Sequence, residues 1–199
     1  MSTLSYCAEQ VKQQNYDRYL VGLFYPAAVR EAAFALDAFN AETVRAVEMA
    51  SEEMVALIRL TWWREALDEI YGGQKLREHP VAQALEQAIT QYGLRRQYFE
   101  ELLEARGQEI ESPHPPETLT ALQEHSQKTA SALAHLRLQV LGVEDEESKH
   151  LTNTLAQAWE LTALLRAIPH RAAAGRSGLP CELLDKHGLQ ADDLTKPDA

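Results

Sequence analysis

Residues 155–180 read LAQAWELTALLRAIPHRAAAGRSGLP. With Leu151 just upstream, Leu155, Ala158, Thr162 and Leu165 follow the i, i+4, i+7, i+11 rhythm of one helical face. The stretch closes on Gly175-Arg176-Ser177-Gly178-Leu179-Pro180, where two glycines and a proline stop any helix. A long helix with a sharp, glycine-rich end is therefore the element from which the rest is read.

Working outward, the same helical text fills the chain. A short polar helix is predicted over 6–15, followed by Tyr16–Leu20 and an apolar patch from Val21 to Tyr25 that Pro26 closes. Pro26 fits the first turn of a helix over about 27–50, whose apolar stripe is Val29, Ala32, Ala33, Leu36, Phe39 and Val47. Ser51 reads as the cap of a further helix running to Tyr71, with Gly72-Gly73 as its stop. Helices are also predicted over 79–92, 96–109 and 118–141, with a stiff proline loop at 112–116. The quoted helix starts near Asp145, and a last turn or two spans 179–189. No segment alternates with period two long enough to make a strand. The reading is all-α: one helical domain over 1–190 and a polar tail over 191–199.

The chain has 199 residues and a formal charge of −11. That length can bury a sizeable single core. That charge argues against nucleic acid, whose binders concentrate Lys and Arg against phosphates. No apolar run reaches the ~18 residues of a membrane span, and the first ten residues lack a secretory pattern. Two cysteines, Cys7 and Cys181, fit a reducing compartment better than a disulfide framework. The expected location is cytoplasmic, or the matrix if the source is a mitochondrion.

The quoted stretch resembles the second signature of the squalene/phytoene synthase family, which runs Gln-x-x-Asn-x-x-Arg-Asp, then Glu-Asp, then Gly-Arg-x-Tyr-Leu-Pro. Leu161, Thr162, Leu165, Arg166, Gly175, Arg176, Leu179 and Pro180 keep its frame. Leu36-Asp37-Ala38-Phe39, Trp63-Arg64, His79-Pro80-Val81, Ala84-Leu85 and Val140-Leu141-Gly142 extend the likeness from about Tyr16 to Leu189. The resemblance implies an isoprenoid-synthase-type helical bundle. Active members continue through further helices, so it also implies truncation at the C-terminal end, with a homodimer or heterocomplex covering the apolar faces left open.

The family's metal ligands are what this chain lacks. Glu160 stands for the Gln, Ala163 for the Asn, Ala167 for the Asp, His170 for the Glu and Arg171 for the second Asp. At the first signature, an Asp-Asp-x-x-Asp cluster in active members, the positions hold Val44, Arg45 and Glu48. Such synthases ionise an allylic diphosphate through Mg²⁺, which needs hard oxygen ligands in near-octahedral array. Valine and alanine cannot supply them. Arginine repels the ion by several kcal/mol at an effective dielectric of about 20. The resemblance thus implies no retained Mg²⁺ and no other cofactor. The replacements instead form a candidate ligand site of reversed sign: Arg45, Glu48, Glu160, Arg166, His170, Arg171 and Arg176. Guanidinium forks there could take phosphate without a metal. Equally, the arginines could be solvated or paired with Glu48 and Glu160.

Other constellations carry less. Glu147-x-x-His150 has only Glu111-x-x-His114, in a proline loop, as its match for a di-iron bundle. Trp62, Trp63 and Trp159 fit core or interface anchors, and Asp68-Glu69 an acidic surface. Arg59 to Tyr71 resembles a subgroup that includes an assembly factor of respiratory complex I. Three functions follow. The first is a non-catalytic helper binding a protein or lipid-like ligand at the inner membrane surface. The second is a prenyl-diphosphate transferase with an altered metal site. The third is a metal-free binder of a phosphorylated isoprenoid.

Overall fold

The computed structural model describes residues 4–48, 52–75, 77–112, 114–173, 177–190 and 193–194. Among them the regular elements are helical: α1 (Tyr6–Gln14), α2 (Tyr16–Gly22), α3 (Ala27–Glu48), α4 (Glu53–Tyr71), α5 (Pro80–Tyr92), α6 (Arg96–Glu111), α7 (Leu119–Ser126), α8 (Ala132–Leu141), α9 (Glu146–Ala173) and α10 (Cys181–Lys186). The ends follow local chemistry. Asn15 closes α1 and caps α2, its side-chain oxygen accepting from the Arg18 N–H. Pro80 opens α5, and Gly93 in the left-handed region closes it. The expected cap Ser51, the first two residues of the expected stop, Gly175 and Arg176, and most of the tail lie outside the described residues.

α3 is the axis of the bundle. It packs on α1, α2, α4, α5, α6 and α8. Its predicted stripe is the core face: Ala32, Ala33, Leu36 and Phe39 are buried, and Val29 and Val47 pack at the edge. Phe39 meets Trp63 of α4 edge-on at 5.1 Å and Phe99 of α6 at 5.5 Å. α2 lies so close to α3 that a Cβ at Gly22 would sit 2.3 Å from the Phe34 ring. Cys7 is buried on α1, and burial together with the nearby Glu31 pushes its thiol up to about 12, an inert state.

The helix predicted over 118–141 is a single rod with a defect. A π-helical turn, Gln127–Ser131, separates α7 from α8. It buries Thr129 and Ser131 between α6 and α9. α10 docks on the proline loop: Cys181 and Glu182 donate their N–H groups to the carbonyls of Pro116 and Glu117, and the Glu182 carboxylate accepts from the Leu119 N–H at the start of α7.

Where α6 meets α7, Glu109 lies between Arg106 and His125, whose Nε2 is 2.9 Å away. Burial would raise the Glu109 carboxyl, but the Arg106 guanidinium and the hydrogen bond to His125 bring it down to about 2 from an ordinary 4.5. A carboxyl depressed in the folded state stabilises it fully above its unfolded pKa and loses that contribution as pH falls. The urea midpoint is therefore expected to drop between about pH 4.5 and about pH 2. Glu109→Gln should flatten that limb when midpoints are measured across the range.

The apolar stripe of α9 does not pack against the rest of the bundle. Leu151, Leu155, Ala158, Thr162 and Leu165 are all exposed, and none of the 28 residues of α9 is buried. α9 meets α7, the π turn and α8 with its opposite side.

Candidate functional site

The two signature faces meet at one end. Arg171 of α9 reaches Glu48 at the end of α3, with Nη2 3.7 Å from Oε1. Val44 and Ala167, half-buried, sit one turn behind these residues on their helices. The positions that hold carboxylates in active family members thus carry a methyl-bearing wall and an ion pair. A near-octahedral Mg²⁺ site needs several free oxygens. Here the single carboxylate, Glu48, faces a guanidinium, and among the described residues no three His, Cys, Asp or Glu side chains come together as a metal cluster. The donor set does not fit the ion.

The arginines of the candidate site are dispersed rather than convergent. Arg45 pairs with Glu42 at 3.5 Å on its own helix. Arg166 donates to Asp17 of α2 at 2.7 Å. Glu160 accepts from the Thr129 hydroxyl at 3.0 Å, so the π turn is fastened to α9 through it. His170 is exposed, and Arg176 lies outside the described residues. The Arg45–Glu42 and Arg166–Asp17 pairs are exposed or half-exposed, so each contributes little to stability.

A second polar cluster lies deeper along the same face of α3, since 37, 41, 44 and 48 share it at helical spacing. Asp37 is only 4% exposed. It accepts from Arg137 of α8 and lies 3.6 Å from Arg18 of α2. Two cations around one buried anion leave a net positive charge. Burial, then repulsion from Arg137, lowers the Arg18 guanidinium to about 10, against the pull of Asp37 and Glu160. Burial works against the charged form of Arg137 too, yet Asp37 and Tyr25 hold it above its ordinary value. The Arg18 guanidinium also faces the Trp159 ring of α9 at 5.7 Å. Five elements therefore meet here: α2, the loop at Tyr25, α3, α8 and α9.

In the sequence Asp37 stands out only as part of the family likeness in Leu36-Asp37-Ala38-Phe39. Its signal was a lone acid inside Ala35-Leu36-Asp37-Ala38-Phe39, and Arg137 likewise sits between Leu136 and Leu138. A charge within an apolar run is buried and must be paired. The partner, 100 residues away, has no local mark. The other singled-out groups are accounted for by packing. Trp63 is core, Trp62 stacks edge-on against it and under Arg77, Asp68 pairs with Arg96, and Glu69 with Arg77. Glu147 and His150 are exposed. A groove of about 250 Å³ lies elsewhere, between α1, α3 and α5, with Cys7 and Glu31 on its wall.

Comparison with known proteins places this geometry. The chain is 28% identical over 191 residues to NADH dehydrogenase (ubiquinone) complex I, assembly factor 6, of Bos taurus, covering 96% of this chain and 57% of that protein. It is 33% identical over 199 residues to the assembly factor 6 homolog of Drosophila melanogaster, covering 96% and 58%. Presqualene diphosphate synthase of Rhodopseudomonas palustris is 27% identical over 170 residues, covering 84% and 59%. The chain therefore spans somewhat over half the length of these relatives. The squalene synthase HpnC structure from Alicyclobacillus acidocaldarius superposes with a TM-score of 0.79 at 22% identity, over 95% of this chain and 70% of that one. A dehydrosqualene synthase structure in complex with ligand gives 0.83 at 20%, over 96% and 65%. These two share the helical fold. The squalene/phytoene synthase family profile matches residues 11–199. With that match across nearly the whole chain, the two recognisable signature faces and the shared bundle, this protein belongs to the squalene/phytoene synthase family.

Proposed function

We propose that this chain is a non-catalytic member of its family that helps assemble a respiratory membrane complex through a protein partner, working without a divalent metal. One observation carries the proposal. Where the fold would bind Mg²⁺ and diphosphate, it has Val44, Ala167 and the Glu48–Arg171 pair. A leaving diphosphate needs its charge neutralised at the moment of ionisation, and an arginine already facing a carboxylate adds little. The likeness to complex I assembly factor 6 proteins over 96% of the chain supports the helper role. No helix among the described residues is long and apolar enough to cross a membrane. On this reading the protein attaches to the membrane complex from its surface.

The test is direct. Purified protein is incubated with labelled farnesyl or geranylgeranyl diphosphate and Mg²⁺ or Mn²⁺, and no product above background is expected. Squalene, phytoene or a cyclopropyl intermediate would overturn the proposal in favour of an altered transferase. In cells, loss of the gene is expected to reduce the amount of assembled respiratory complex, and Glu48→Gln should restore it as well as wild type does.

A further inference from the structure

We propose that the groove between α1, α3 and α5 is a docking pocket for one lysine side chain of a protein partner, with the ammonium on Glu31. This rests on the partner reading above and names the chemistry that the partner presents. The groove holds about 250 Å³, below the ~300–1,000 Å³ usual for small-molecule sites. Its walls come from residues 5–92 alone, so helices described here give it its shape. The Tyr92 hydroxyl of α5 donates to the Ala28 carbonyl of α3 at 2.9 Å. That bond fixes the spacing of the two helices before anything enters.

The occupant is chosen by charge and shape. Ala32, Ala84, Ala88 and the buried Cys7 give the groove apolar walls, and Glu31 is the one charged residue lining it. Among the described residues no cation pairs with the Glu31 carboxylate. Its neighbour Arg30 donates to the Leu23 and Tyr25 carbonyls, and Lys12 of α1 lies over the Tyr19 ring. The negative charge of Glu31 is felt inside the groove, since it joins burial in keeping the Cys7 thiol protonated. Gln91 gives its Nε2 to the Tyr92 hydroxyl, which leaves its Oε1 as a second acceptor in the lining. Acceptors around an apolar wall call for a cationic donor on an apolar stem. Lysine lays its four-carbon stem along alanine while the compact ammonium donates to carboxylate and amide. The five-donor fork of arginine would leave N–H groups unpaired against alanine. A free alkylammonium would lose its full translational freedom for one ion pair, whereas a side chain anchored in a larger interface would not.

The probe is the capped tripeptide Ala-Lys-Ala, titrated into the full chain with labelled alanine methyls and followed by NMR. Saturable shifts are expected at Ala32, Ala84 and Ala88, and they should weaken as salt is raised. Glu31→Gln, at an exposed position, should keep wild-type helicity and weaken binding at least tenfold. Capped Ala-norleucine-Ala, which has the stem without the charge, should leave these methyls unmoved. No shift with the lysine peptide, equal shifts with the norleucine peptide, or equal binding by Glu31→Gln would overturn the proposal. In cells, Glu31→Gln should restore less assembled respiratory complex than Glu48→Gln does. Full restoration by Glu31→Gln, with the methyl shifts intact, would overturn the partner's part and assign the groove to a free amine. The assembly reading fails separately, if loss of the gene leaves the complex unchanged.

Discussion

Replacing Asp37 by alanine is expected to cost about 3–5 kcal/mol of unfolding free energy, the range for breaking a buried ion pair from one side. The Arg18 and Arg137 guanidiniums would be left facing each other in a site where burial and mutual repulsion already press on Arg18. At about 2–4 °C per kcal/mol for a domain of this size, the thermal midpoint should fall by roughly 10 °C. The control removes all the charge together: Asp37→Leu with Arg18→Met and Arg137→Leu. Apolar replacement of a whole buried ionic group is often neutral or stabilising, so the triple variant should recover most of the loss. Urea titration followed by helicity measures both. An Asp37→Ala midpoint near wild type would mean that the cluster is wetter than its burial implies and does not clamp α2, α3 and α8.

Phe39→Ala is the second large effect, at about 3–5 kcal/mol for deleting a fully buried phenylalanine. The residue is wholly enclosed, and its ring supports Trp63 and Phe99 edge-on from two neighbouring helices. A ring-sized cavity at that junction cannot be closed by one neighbour without disturbing the other. Tryptophan fluorescence should shift along with the urea midpoint, because Trp63 borders the hole. Phe24→Ala is the matched control. That ring is 90% exposed in the α2–α3 turn, and its removal should stay within about 0.5 kcal/mol of wild type. Equal losses from the two substitutions would refute the assignment of α3 as the axis of the core.

The candidate site was only partly legible. Which residues replaced the metal ligands could be read position by position, because the helical frame around them survives in sequence. That the faces meet was also foreseeable, and Arg171 does reach Glu48. How the arginines resolve their charge was not. Arg166 chooses Asp17, 149 residues upstream, and Arg137 chooses Asp37. Local spacing reports only neighbours three and four residues away, so pairs like these leave no trace in any window. The π turn escaped for a related reason. Gln127–Ser131 has ordinary helix-compatible residues, and what sets it apart is tertiary: it packs between α6 and α9, with the Thr129 hydroxyl 3.0 Å from Glu160.

What the sequence determined by itself is the set of local decisions. These are where helices begin and end, that nothing alternates as a strand, which family supplies the frame, and that valine, alanine and arginine stand where a divalent ion needs carboxylates. Each depends on one residue's chemistry or on a period of a few residues. Tertiary structure decided the rest: which acid neutralises which guanidinium, that Asp37 draws α2 and α8 onto α3, and that the apolar seam of α9 faces outward. Periodicity shows that a helix has an apolar face. The direction of that face is set by which side the neighbouring helices cover, and here α7, the π turn and α8 cover the other one.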